Sequence, residues 1–135
     1  MSIQVELHQI IIREMEHEQF IVLKEVDGER RLPILIGSSE AFAIDRRLKG
    51  IPAPRPMTHD LLASVIEKMG GVLDKIEINR LEVVGSAGTF IAMLHIRQGD
   101  KVLEIDSRPS DAIALGAASN LPIFVSEQVM NQAAA

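Results

Sequence analysis

The chain has 135 residues, enough for one domain with a sizeable core, and its 47% hydrophobic and 24% charged composition carries no disordered bias. The absence of cysteine excludes disulfides, thiolate metal sites and a cysteine nucleophile, and fits a reducing, cytoplasmic setting. A net charge of −5, with no tryptophan or tyrosine, argues against strong nucleic-acid binding through the overall field or a stacking platform, so any such contact should be local, weak and directed at phosphates.

The N-terminal residues lack a basic run followed by an apolar one, so no signal peptide is expected. No apolar stretch approaches the roughly 20 residues needed to span a bilayer, so no membrane partner is expected. Ile3 to Arg13 alternates imperfectly and is rich in β-branched residues, which predicts a strand. A polar turn at Met15–Glu18 leads to a second strand, Phe20 to Val26. Asp27-Gly28 is a hairpin signal, and a third strand follows over Leu32 to Ile36. Pro33 has no N–H, so this strand should lie, or start, at a sheet edge.

Gly37 to Leu48 predicts a helix capped by Ser38 or Ser39, with Ala41, Ile44 and Leu48 on one face and Gly50 ending it. The alternating prolines of Ile51 to Pro56 make an extended loop. A second helix is predicted over Thr58 to Met69, stopped by Gly70-Gly71. Val72 to Val84 reads as a long strand bent near Arg80, Gly85 to Gly88 as a turn, and Thr89 to Ile96 with Val102 to Asp106 as a hairpin. The third helix, Pro109 to Ser119, is apolar nearly all round and should be buried, its small residues letting another element approach. A short strand over Leu121 to Val125 and a helical turn at Ser126 to Met130 complete the pattern. Strands outnumber helices and hairpins dominate. The expected class is α+β, with a mixed, mostly antiparallel sheet and three main helices in a single domain over residues 1–131; residues 132–135 should fray.

One arrangement occurs twice. Arg55-Pro56-Met57-Thr58-His59-Asp60 opens the second helix, and Asp106-Ser107-Arg108-Pro109-Ser110-Asp111 opens the third. Proline, hydroxyl residues and aspartate suit a helix start, whose unpaired N–H groups carry partial positive charge. Flanking arginines make such a start a ready anion site. If the two starts converge, they gather groups suited to phosphodiester cleavage. His59, Asp60, Asp106 and Asp111 are candidates for proton transfer or catalysis, and Arg55, Thr58, Arg108 and Ser110 for gripping phosphate. Glu40, in the first turn of its helix, is a candidate supporting residue. The aspartates equally suit the helix dipole, Thr58 and Ser110 equally suit caps, and Arg108 equally suits a structural ion pair. A divalent metal such as magnesium on Asp60, Asp106, Asp111 and His59 is a further option, although no known metal-ligand spacing is present.

These residues also carry a family resemblance. The run Ile105 to Leu115, Leu32 to Gly37 with Glu40-Ala41, Arg55 to Leu62, and Leu121 to Val125 followed by Glu127 resemble the bifunctional nuclease (BFN) domain family over roughly Val5 to Met130. The resemblance implies a hydrolase of low sequence specificity acting on RNA, DNA or both. The competing expectation is a non-enzymatic oligomeric module that binds a small anion or a protein partner through the same pocket. Apolar runs at Ile10-Ile11-Ile12 and Leu32 to Ile36 suggest a homo-oligomer paired through a sheet edge.

Overall fold

A computed structural model describes residues 1–85 and 87–135. Among these described residues seven strands form one sheet: β1 (Ser2–Ile11), β2 (Glu18–Glu25), β3 (Arg31–Gly37), β4 (Gly71–Val84), β5 (Ala87–Gln98), β6 (Lys101–Ser107) and β7 (Ile123–Ser126). Four α-helices accompany it: α1 (Ser38–Lys49), α2 (Thr58–Lys68), α3 (Pro109–Gly116) and α4 (Glu127–Ala133). The strand order is β3-β2-β1-β7-β4-β5-β6. Every neighbouring pair is antiparallel except β4 and β7. The expected mixed α+β fold is therefore present, with a fourth helix where a single turn was expected.

Alternation explains the sheet. In β3, Leu32, Ile34 and Ile36 are buried while Arg31, Pro33 and Leu35 are exposed. Pro33 sits on the edge strand, where its missing N–H costs no ladder bond. The register of β4 on β5 shifts between Leu73 and Lys75 and again between Ile78 and Arg80, giving the bend expected near Arg80. The expected turn over residues 85–88 includes Ser86, which lies outside the described residues; Gly88 already pairs with Val83 within the β4–β5 ladder.

One hydrophobic core unites Val5, Ile21, Leu23, Ile76, Ile78, Ile123 and Val125 of the sheet with Ala41 and Ile44 of α1 and the apolar residues of α3. The third helix is buried as expected, but its α-helical part ends at Gly116 and a 3-10 turn follows over Ala117–Ser119. Seven of its eight residues are fully buried, and Asp111 is the exception. Leu48, expected on the core face of α1, is exposed instead.

Two local expectations need correction. Neither Ser38 nor Ser39 caps α1. The Ser38 hydroxyl instead donates to the His17 carbonyl and accepts from the Gln19 side chain. Gln19 is almost fully buried, and its amide also donates to the Arg13 and Glu16 carbonyls, so it fastens the β1–β2 connection. The C-terminal residues do not stand free. Gln132 and Ala133 belong to α4, and Ala135 exchanges both backbone hydrogen bonds with Arg31, at 3.0 and 2.8 Å.

Candidate functional site

The two helix starts meet. The Nε2 atom of His59, the second residue of α2, lies 3.0 Å from Oδ1 of Asp111, the third residue of α3. The other Asp111 oxygen accepts from Nε of Arg108 at 2.9 Å. Arg108 follows β6 directly and caps α3 by position, and Pro109 takes the first helical place, where its missing N–H is no loss. A terminal nitrogen of Arg108 also lies 3.9 Å from Glu40 at the start of α1. Three helix starts thus contribute to one charged cluster.

Electrostatics favour the ionised form of Asp111. Partial burial pushes the Asp111 carboxyl up, but the hydrogen bonds from His59 and Arg108 and their charge outweigh it and hold it below the ordinary carboxylate range. An ionised Asp111 can only accept, so the shared proton resides on His59 Nε2. With Nε2 so engaged, Nδ1 is the ring nitrogen that Asp111 leaves free.

The cluster borders an open pocket of about 860 Å³. Glu40, Thr58, His59, Asp106, Arg108 and Asp111 line it. Its apolar walls come from Phe42, Leu62, Leu94, Ile105 and Leu115, which sequence reasoning did not nominate. Arg46, also unanticipated, lines the pocket.

Three nominated residues fall outside this pocket lining. Arg55 is exposed in the proline loop and makes no side-chain hydrogen bond or ion pair among the described residues. Ser110 is buried and faces a smaller crevice between β3 and β5; neither it nor Thr58 caps its helix with a side-chain oxygen. The Asp60 carboxylate is taken up elsewhere. It accepts from the Met57 N–H at 2.9 Å and from Arg46 at 2.7 Å, and pairs with Arg47. The set Asp60, Asp106, Asp111 and His59 does not assemble. No group of three or more side chains suited to hold a metal occurs among the described residues.

The Met57 N–H, followed by Arg46 and Arg47, lowers the Asp60 pKa from 3.8 to about 2. A carboxyl lowered on folding stabilises fully above its unfolded value and loses that contribution as pH falls through the folded one. Acid titration should therefore lower the melting temperature between roughly pH 4 and 2 more in the wild type than in Asp60→Asn, measured by circular dichroism. Equal acid sensitivity of the two proteins would contradict this.

The bifunctional nuclease domain family matches residues 21–135, which include both helix starts. The chain is also 37% identical over 124 residues to uncharacterized proteins MT1877 and Rv1829 of two Mycobacterium tuberculosis strains, covering 92% of this chain and 71% of theirs. The chain belongs to the bifunctional nuclease domain family. Bifunctional nuclease 1 of Oryza sativa subsp. indica is 25% identical over 119 residues, covering 87% of this chain but 36% of the rice protein. The His59–Asp111–Arg108 cluster therefore lies inside the family match. No helix among the described residues is long and apolar enough to cross a membrane.

Proposed function

We propose that this chain is a nuclease of low sequence specificity, hydrolysing phosphodiester bonds of RNA, DNA or both. The observation that carries the reading is the 3.0 Å contact between His59 and an ionised Asp111 beside an open pocket. In this reading His59 Nδ1 takes a proton from the attacking water or hydroxyl as its oxygen bonds to phosphorus. The imidazolium then returns the proton to the leaving oxygen as the P–O bond breaks. Asp111 orients the ring and stabilises its charged form, the role of the third member in a hydrolytic triad. Arg108 is anchored by one nitrogen and 65% exposed along its side chain, so its remaining donors can reach a phosphate oxygen.

The pocket also holds three carboxylates, Glu40, Asp106 and Asp111, against two guanidinium groups, Arg46 and Arg108. Both guanidinium groups are already paired. Such a lining repels a polyanion, and a divalent cation such as magnesium, carried in with the substrate, would offset that repulsion. The deciding assay is cleavage of single-stranded RNA and DNA by purified protein, with and without magnesium, manganese or zinc. The second reading is a non-enzymatic module, and the same charge balance favours a protein partner over an anion as what it binds. Absence of cleavage in every condition would select it.

We also propose a homo-oligomer. Among the runs that suggested one, Leu32, Ile34 and Ile36 are buried within the subunit, so Leu35, Ile11 and Ile12 remain exposed there. The stronger surface is the other sheet edge, where β6 exposes Val102, Leu103 and Ile105, and Ile105 lines the pocket with the exposed Leu62 and Phe42. Sedimentation at micromolar concentration should show a species larger than the 14.8 kDa chain, and Ile105→Lys should reduce it to monomer. A wild-type protein that sediments only as monomer would defeat the proposal.

A further inference from the structure

We propose that Arg47 and Asp60 form a positioning clamp that holds His59 against Asp111, an inference that rests on the nuclease reading above. The Arg47 guanidinium, carried by α1, joins α3 to α2. Its Nε donates to the Ala114 carbonyl at 2.7 Å and one terminal nitrogen to the Leu115 carbonyl at 3.1 Å, both in α3. The other terminal nitrogen pairs with Asp60 in the first turn of α2. The side chain is only 11% exposed, so these bonds are shielded from water. Arg46 completes the arrangement by bonding the second Asp60 oxygen at 2.7 Å and the Ile51 carbonyl at 3.0 Å.

The clamp matters because packing alone holds α2 weakly. No residue of α2 is fully buried, and Leu61, Leu62 and Val65 are all exposed. Only Ala63 and Ile66 pack partly against the core. Asp60 neighbours His59 in α2, and Ala114 and Leu115 lie one turn beyond Asp111 in α3. The clamp and the His59–Asp111 contact are therefore two cross-links between the same pair of helices. Releasing the first leaves the second to set the approach of the imidazole by itself. Asp60 acts on His59 through this geometry, with its own carboxylate fully engaged by Met57, Arg46 and Arg47.

The test uses Arg47→Lys and Asp60→Asn in the full chain. Lysine keeps the charge but loses the planar fork that reaches two carbonyls and a carboxylate at once. Labelling with diethyl pyrocarbonate, resolved by histidine through mass spectrometry, reads the exposure of each imidazole. His59 labelling should rise about tenfold in both variants, the increase expected from a local opening that becomes correspondingly easier. His95, buried on β5 and 3.0 Å from Glu77, should label as in the wild type. On a single-stranded oligonucleotide, kcat should fall while KM stays near its wild-type value. Unchanged His59 labelling in both variants would overturn the clamp. A uniform rise at His8, His17, His59 and His95 with a lower melting temperature would also overturn it, showing only general support of the fold. Failure of the wild type to cleave would remove the nuclease reading, while the labelling would still decide whether the clamp holds His59.

Discussion

Asp111→Asn should lower the rate of phosphodiester cleavage by about 10²–10⁴-fold, the range for loss of a positioned proton-transfer system. Asparagine preserves the side-chain volume and can still serve near a helix start. It removes the negative charge that keeps the shared proton on His59 Nε2 and stabilises the imidazolium. It also sets an amide against Arg108, which then loses one charged partner. His59→Ala should cost a similar factor, and the double variant little more, because residues that act as one unit are not additive. Arg108→Lys should act mainly on KM, since lysine keeps the charge but not the two-pronged grip. The fold should survive Asp111→Asn, because Asp111 is the one residue of α3 that is not fully buried and a helix-dipole contribution is worth about 0.3–1 kcal/mol. Wild-type rates in Asp111→Asn would remove that residue from catalysis. Unfolding of the variant would identify the cluster as a structural ion-pair turn.

The order of elements was legible because the signals are local. Alternation set the strands, Pro33 set the β3 edge, and Gly50 and Gly70 ended their helices with φ values of 66° and 84° that glycine adopts freely. The repeated proline-containing helix starts likewise pointed to one site, and His59, Asp111 and Arg108 meet there. What sequence could not supply was the direction of each side chain in three dimensions. Asp60 and Asp111 hold matching places in their motifs, yet one faces Arg46 and Arg47 and the other faces His59. Arg46 and Arg47 carried a visible signal as basic residues in the last turn of α1, where the helix dipole favours them. Their reach to α2 and α3 depends on how the helices pack over the sheet, which no local pattern encodes. Phe42 and Ile105 escaped notice for a related reason. Apolar residues at such spacing read as core, and only the assembled fold leaves them on a pocket wall.

The packing of α3 leads to the second large expected effect, that of Gly116→Ala on stability. Alanine ordinarily favours a helix over glycine by about 1 kcal/mol, and Gly116 has φ −84° and ψ −8°, a conformation open to any residue. Local propensity therefore predicts stabilisation. Packing predicts the opposite. A Cβ at Gly116 would lie 2.5 Å from the Leu121 Cβ and 2.9 Å from its Cδ2. The Leu121 Cβ is fixed to its own backbone, so a rotamer change relieves only the second clash. The backbone cannot part easily either, because the Leu121 N–H donates to the Gly116 carbonyl at 3.1 Å. Overpacking of this kind costs about 1–3 kcal/mol, enough to outweigh the propensity gain at its upper end. Leu121→Ala keeps the offending Cβ, so adding it to Gly116→Ala should restore little of the loss. Gly116→Ala should lower the denaturant midpoint without changing the dependence of stability on denaturant. It should also loosen the neighbouring Ala114 and Leu115 carbonyls that Arg47 holds, so that hydrogen exchange in α2 quickens beyond what the global loss explains. A variant as stable as the wild type would mean that the α3–Leu121 contact yields readily, and that small residues in this helix serve no close approach.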